Sequence, residues 1–99
     1  MTLGDIIANT DEQNQEATVF VKRVDGKFIP SSEAVIIEID EKEQDWKIDQ
    51  IANKHCPGFE YFLEIFLIKD MMDDLKGMAG YTSLQQQVER IIHYAEFDA

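Results

Sequence analysis

The stretch Phe59–Leu75, FEYFLEIFLIKDMMDDL, constrains this chain more than any other. Phe59, Tyr61, Phe62 and Phe66 make its first half dense in aromatic residues. The hydrophobic period changes partway along. Phe59, Tyr61, Leu63 and Ile65 alternate with Glu60, Phe62, Glu64 and Phe66, which is the two-residue repeat of a strand. Leu67, Ile68, Met71, Met72 and Leu75 then recur at helical spacing. A strand that runs almost directly into a helix is a core-building unit. Phe62 and Phe66 stand on the face opposite Tyr61, Leu63 and Ile65, so this strand asks for cover on both sides. That predicts a central strand, or one whose second face meets a partner chain.

The other elements can be placed around it. Thr2 with Asp5 three positions on is a capping pattern for a short helix to Ala8, with Leu3, Ile6 and Ile7 on its apolar face. Asn9–Glu16 is polar and reads as a loop. Ala17–Val24 is β-branched and aromatic and reads as a strand. Asp25-Gly26 supplies a hairpin turn, and Lys27–Ile29 pairs back until Pro30 removes a donor. Ala34–Ile39 is a further strand. Asp45 caps a helix that begins at Trp46 and ends before Pro57-Gly58. Gly77 and Gly80 bound a loop. Thr82 and Ser83 then cap a last helix striped by Leu84, Val88, Ile91, Ile92 and Ala95. The expected fold is a single α+β domain over residues 1–99 in the order α-β-β-β-α-β-α-α. An antiparallel sheet of about four strands carries helices on one face.

Charge limits the partners. Twenty acidic against nine basic residues give a net charge of −11. Such a chain is repelled by nucleic acid and by anionic membrane within a Debye length of about 8 Å. It favours a basic protein partner, or plain solubility. The one cysteine, Cys56, cannot form an intrachain disulfide and fits a reducing compartment. The N-terminus has no basic-then-apolar export pattern, and the longest apolar run, Ile65–Ile68, cannot span a bilayer. A cytoplasmic location is expected.

Candidate sites have competing bland readings. Glu38, Asp40, Glu41, Glu43, Asp45 and Asp49 crowd around Trp46, opposed by Lys42 and Lys47. An exposed aromatic inside an acidic rim has the composition of a hot spot for a basic partner. The alternative is a buried Trp46 beneath a solubilising loop. The partner-facing set is therefore Trp46, Glu41, Glu43, Asp45 and Asp49, with Asp73 and Asp74 as a second patch. Asp70, Asp73 and Asp74 lie on one helix face and offer oxygen ligands, but a solvated face explains them as well. His55-Cys56 are adjacent, and neighbours on a helix project about 100° apart, so they do not pair as base and nucleophile. His93, Tyr94, Glu96 and Asp98 gather near the C-terminus, where His93 would be the base if the protein were an enzyme. No phosphate-binding glycine loop, nucleophile elbow or basic stripe is present. No cofactor, metal ion or catalytic residue is expected.

Three segments together carry a resemblance: Leu3-Gly4-Asp5-Ile6-Ile7, then Tyr61-Phe62-Leu63-Glu64-Ile65 with Ile68 and Asp70, then Ile92-His93-Tyr94-Ala95-Glu96-Phe97-Asp98-Ala99. In these the chain resembles an uncharacterised family of small, acidic bacterial domains that look like immunity proteins. The resemblance implies a non-catalytic inhibitor of a basic toxin, and it transfers no functional residue. The other readings are a DNA mimic, a homo-oligomeric accessory protein pairing through a sheet edge, and a small enzyme using His93.

Overall fold

β1 (Thr18–Val21) is the middle strand of a three-stranded antiparallel sheet, with β2 (Ala34–Ile37) and β3 (Glu60–Glu64) on its two sides. The computed structural model describes residues 1–97; Asp98 and Ala99 lie outside the described residues. All four residues of β1 are buried. Successive side chains leave a strand on opposite faces, so Val19 and Val21 point one way and Thr18 and Phe20 the other. Each face therefore needs its own cover.

The first face carries the larger core. Val19, Val21 and Leu63 pack with Leu3, Ile6 and Ile7 of α1 (Leu3–Ala8), with Ile65, Ile68, Met72 and Leu75 of α3 (Ile65–Lys76), and with Val88, Ile91 and Ile92 of α4 (Leu84–Phe97). On the second face Phe20 meets Ile51, Ala52 and Cys56, the first two from α2 (Ile48–His55) and the third its C-cap. The Tyr61 ring stands edge-on to Phe20, their centroids 6.3 Å apart. The helices thus lie on both faces, where one was expected. An apolar Phe20 between two apolar valines leaves no face of β1 fit for water.

The sheet has three strands where four were expected, in the order α-β-β-α-β-α-α. The Asp25-Gly26 turn does form: both residues have positive φ, 51° and 76°, as a type I′ turn requires. Val24 and Lys27 exchange backbone hydrogen bonds of 2.8 and 3.0 Å, and the ladder stops there. Phe28 instead enters the first core, 5.4 Å from Phe62 between ring centroids. The carbonyls of Pro30 and Ser32 accept from the Gly4 and Leu3 amides at the start of α1, both at 2.9 Å. Those carbonyls serve the open end of a helix, so they are lost to a strand. Gly4 permits the approach, since a Cβ there would sit 3.1 Å from the Pro30 oxygen.

β3 is an edge strand, not the central one, because its alternation is broken. Val19 pairs with Leu63 but Phe20 pairs with Tyr61, leaving Phe62 as the extra residue of a bulge. Phe62 and Leu63 consequently both enter the first core, while Tyr61 and Glu64 fall on the second face. The strand then passes straight into α3. The Ile65 amide still donates to the Ala17 carbonyl at 2.9 Å as the helix begins.

If the second face is a true core, Phe20→Ala should cost about 3–5 kcal/mol in chemical denaturation. A loss under about 1 kcal/mol, the range of loosely packed surface positions, would show that α2 is not anchored there.

Candidate functional site

Trp46 owes its exposure to where α2 begins. The expected helix from Trp46 starts instead at Ile48, with the Lys47 amide donating to Gln50 Oε1 at 3.0 Å. The acidic segment before it folds into a 3₁₀ turn, Glu41–Glu43, capped by Asp40, whose Oδ1 accepts from the Lys42 amide at 3.0 Å. Trp46 is thus held on the connection between two short helices. Trp46 is 40% exposed, and Ile48 and Phe66 are 42% and 45% exposed.

These three residues line one open cleft of about 650 Å³. Gln15, Glu16, Thr18, Ile39, Gln44, Ile51 and Glu64 complete its walls. It lies at the end of the sheet where β1 begins and β3 ends, on the α2 side. Two carboxylates, Glu16 and Glu64, line it and no basic residue does. Lys54 stands outside the cleft with Nζ 5.3 Å from the Trp46 ring centroid, a cation–π distance.

Glu43 leaves the partner-facing set. It is 2% exposed, and its carboxylate is spent inside the chain. Lys54 Nζ donates to Oε2 at 2.8 Å, and His55 Nε2 lies 2.9 Å from the same oxygen and 3.2 Å from the other. The Asp40 amide donates to Oε1 at 3.3 Å. The Lys54 and His55 bonds outweigh burial and hold the Glu43 carboxyl down to about 2. A carboxylate only accepts, so Nε2 is the protonated nitrogen of His55. Glu43 therefore clamps the 3₁₀ turn to the last turn of α2 and fixes the segment that presents Trp46. The Trp46 amide itself donates to the Glu43 carbonyl at 3.0 Å.

The remaining expected residues divide. Glu41, Asp45 and Asp49 are exposed and none lines the cleft; Asp45 adjoins Trp46 and Asp49 adjoins Ile48 in the chain. Asp73 is exposed on α3 and stands two helical turns beyond Phe66 on the same face, about 10 Å along the axis. Asp74 is exposed but lines a separate hollow with Met71, Met78, Tyr81 and Arg90. Glu16, Glu64 and Phe66 were not singled out from the sequence. Phe66 carried a legible signal: it stands off the buried stripe Ile65, Ile68, Met72 and Leu75 of its own helix.

The described residues weighed for catalysis have these neighbours. His93 Nδ1 lies 3.3 Å from Arg90 Nη1, and the His93 ring tilts against Phe97 at 4.8 Å. Glu96 is taken by Arg23 at 2.7 Å, and Arg23 also reaches Glu60 at 2.6 Å. Asp98 lies outside the described residues. Cys56 is buried and its thiol pushed up by that burial. Among the described residues no three His, Cys, Asp or Glu side chains gather as a metal site. No helix among them is long and apolar enough to cross a membrane.

The Tyr61 hydroxyl donates to Glu64 Oε1 at 3.4 Å, joining the Phe20 core to the cleft wall. Burial first, then the Glu64 charge, pushes its phenol up to about 12.

A family model described as "Domain of unknown function (DUF7716)" matches residues 1–99, and the chain belongs to that family. No curated protein and no solved structure matches it.

Glu43 has a folded value of about 2 against an ordinary 4.5, so its contribution to stability is whole above the ordinary value and is lost as pH falls through that interval. Glu43→Gln should lower the thermal midpoint by several degrees at neutral pH and flatten stability across this acid range. An unchanged acid profile would remove Glu43 from its clamping role. Tyr61 should stay un-ionised in absorbance titration until about pH 12, and should ionise earlier in Glu64→Gln.

Proposed function

We propose that this member of a domain family of unknown function is a non-catalytic, acidic binding protein whose partner is a basic protein. Its recognition surface is the Trp46 cleft with the exposed acids around it. One observation carries the reading. Trp46, Ile48 and Phe66, three of the chain's exposed large apolar residues, meet in one cleft whose charged lining among the described residues is Glu16 and Glu64. A hydrophobic centre with a polar rim is the anatomy of a protein interface. The exposed acids Glu41, Asp45, Asp49 and Asp73 extend the negative field outward from it, and a net charge of −11 reinforces that field at long range. In the narrower form of this reading the protein is an immunity or inhibitor protein that occupies a basic bacterial toxin. Nothing in the chemistry of the cleft asks for a bond to be made or broken.

The test is association with a basic candidate toxin, followed by stopped-flow kinetics over a range of salt. Converting Glu41, Asp45, Asp49 and Asp73 to amides should slow association at least about tenfold at low salt and reduce the salt dependence. Glu43 is left native in this variant, because changing it loosens the fold. Association unaltered by the four amides would sink the electrostatic reading.

A further inference from the structure

The cleft has a chemistry more specific than acidity. We propose that it is an anchor for a single long basic side chain, a lysine or arginine of the partner, seated by its hydrocarbon stem. The proposal rests on the reading above and names what the partner inserts.

Three features carry it. The exposed walls are Trp46, Ile48 and Phe66, surfaces suited to methylene groups and, for the two rings, to a cation on a π face. The carboxylates of Glu16 and Glu64 line the same space, and no lysine, arginine or histidine does. An apolar side chain alone would partly desolvate the two carboxylates without offsetting their charge, since Glu64 has only the neutral Tyr61 hydroxyl beside it, whereas an ammonium or guanidinium answers them. The chain also displays the pairing in itself. Lys54, from outside the cleft, already holds its ammonium 5.3 Å from the Trp46 ring centroid. Lysine and arginine bury their stems on apolar surface while keeping the charged head among polar groups, and this cleft is lined by groups of both kinds. A volume of about 650 Å³ is ample for one such side chain with the backbone that carries it. Glu43 supports the site from beneath as a positioning residue, through the turn that presents Trp46.

The occupant is a protein side chain rather than a free polyamine, because the cleft is open and continuous with the exposed acids, a shape that admits a backbone across its mouth.

Two decapeptides separate stem from charge: decalysine, and a decamer of diaminobutyrate, whose ammonium sits on a stem two methylenes shorter. Both are titrated into isotopically labelled protein at mildly acidic pH, where both ammonium groups are charged. Amide shifts and the fluorescence of Trp46, the single tryptophan, report the site. Decalysine should bind about tenfold more tightly, consistent with two further methylenes leaving water. Its shifts should centre on residues 44–48 and 64–66. In Phe66→Ala and in Glu64→Gln the preference should shrink to less than about threefold, while circular dichroism stays native. Equal binding of the two peptides, or a preference untouched by Phe66→Ala, would overturn the anchor and leave the acidic surface standing. Failure of both peptides to bind would overturn the acidic surface as well. Spermine shifting the same residues more strongly than decalysine at equal charge would overturn the commitment to a protein side chain.

Discussion

Everything in this fold depends on a four-residue strand that is buried on both faces. Thr18, Val19, Phe20 and Val21 expose almost nothing, and each neighbour in space answers one of their demands. The valines recruit α1, α3 and α4, and Phe20 recruits α2. Two layers of helix on so thin a sheet would be excessive if one face were polar. Here the alternation offers no polar face, so a chain of this length spends its helices on both sides.

That same constraint makes the cleft. α2 must cross the second face to cover Phe20, yet it is too short to cover the whole sheet end. The gap beyond it is floored by Thr18 and walled by the segment leading into α2 and by the first turn of α3. The bulge at Phe62 contributes by turning Tyr61 and Glu64 toward this face, which puts a carboxylate into the wall. Glu43 then stiffens the opposite wall by gathering Lys54 and His55 onto one carboxylate. Charge thus plays two parts in neighbouring residues. One glutamate stays ionised and is paired for rigidity, and those around it are left open to solvent.

Signals in the chain that are satisfied locally are legible in the sequence. Thr2 caps α1 through the Asp5 amide at 3.2 Å, and Ser83 and Gln86 exchange capping bonds of 3.2 and 3.1 Å at α4. The Asp25-Gly26 turn, the helical stripe of α3 and the direct passage from β3 into it were all visible as patterns. The acidic neighbourhood of Trp46 was visible too, but Glu43 looked like its neighbours. Its role depends on Lys54 and His55, eleven and twelve positions away, brought close only when the 3₁₀ turn folds back on α2. The two-residue alternation places Phe66 on a strand face, because it continues unbroken across the point where the backbone changes to helix.

The sequence by itself determined the α+β class, the caps of the first and last helices, the turn after β1, and the crowding of acid around a lone tryptophan. These follow from dihedral preferences and from hydrogen bonds spanning three or four residues. Only the tertiary structure decided which strand is central, that the carbonyls of Pro30 and Ser32 after the Lys27–Ile29 segment go to α1, that Phe62 is the extra residue of a bulge, and which acids are open. Each of those is a competition between distant partners for the same backbone group, face or carboxylate. Neither the period of a strand nor the composition of a loop records which partner wins.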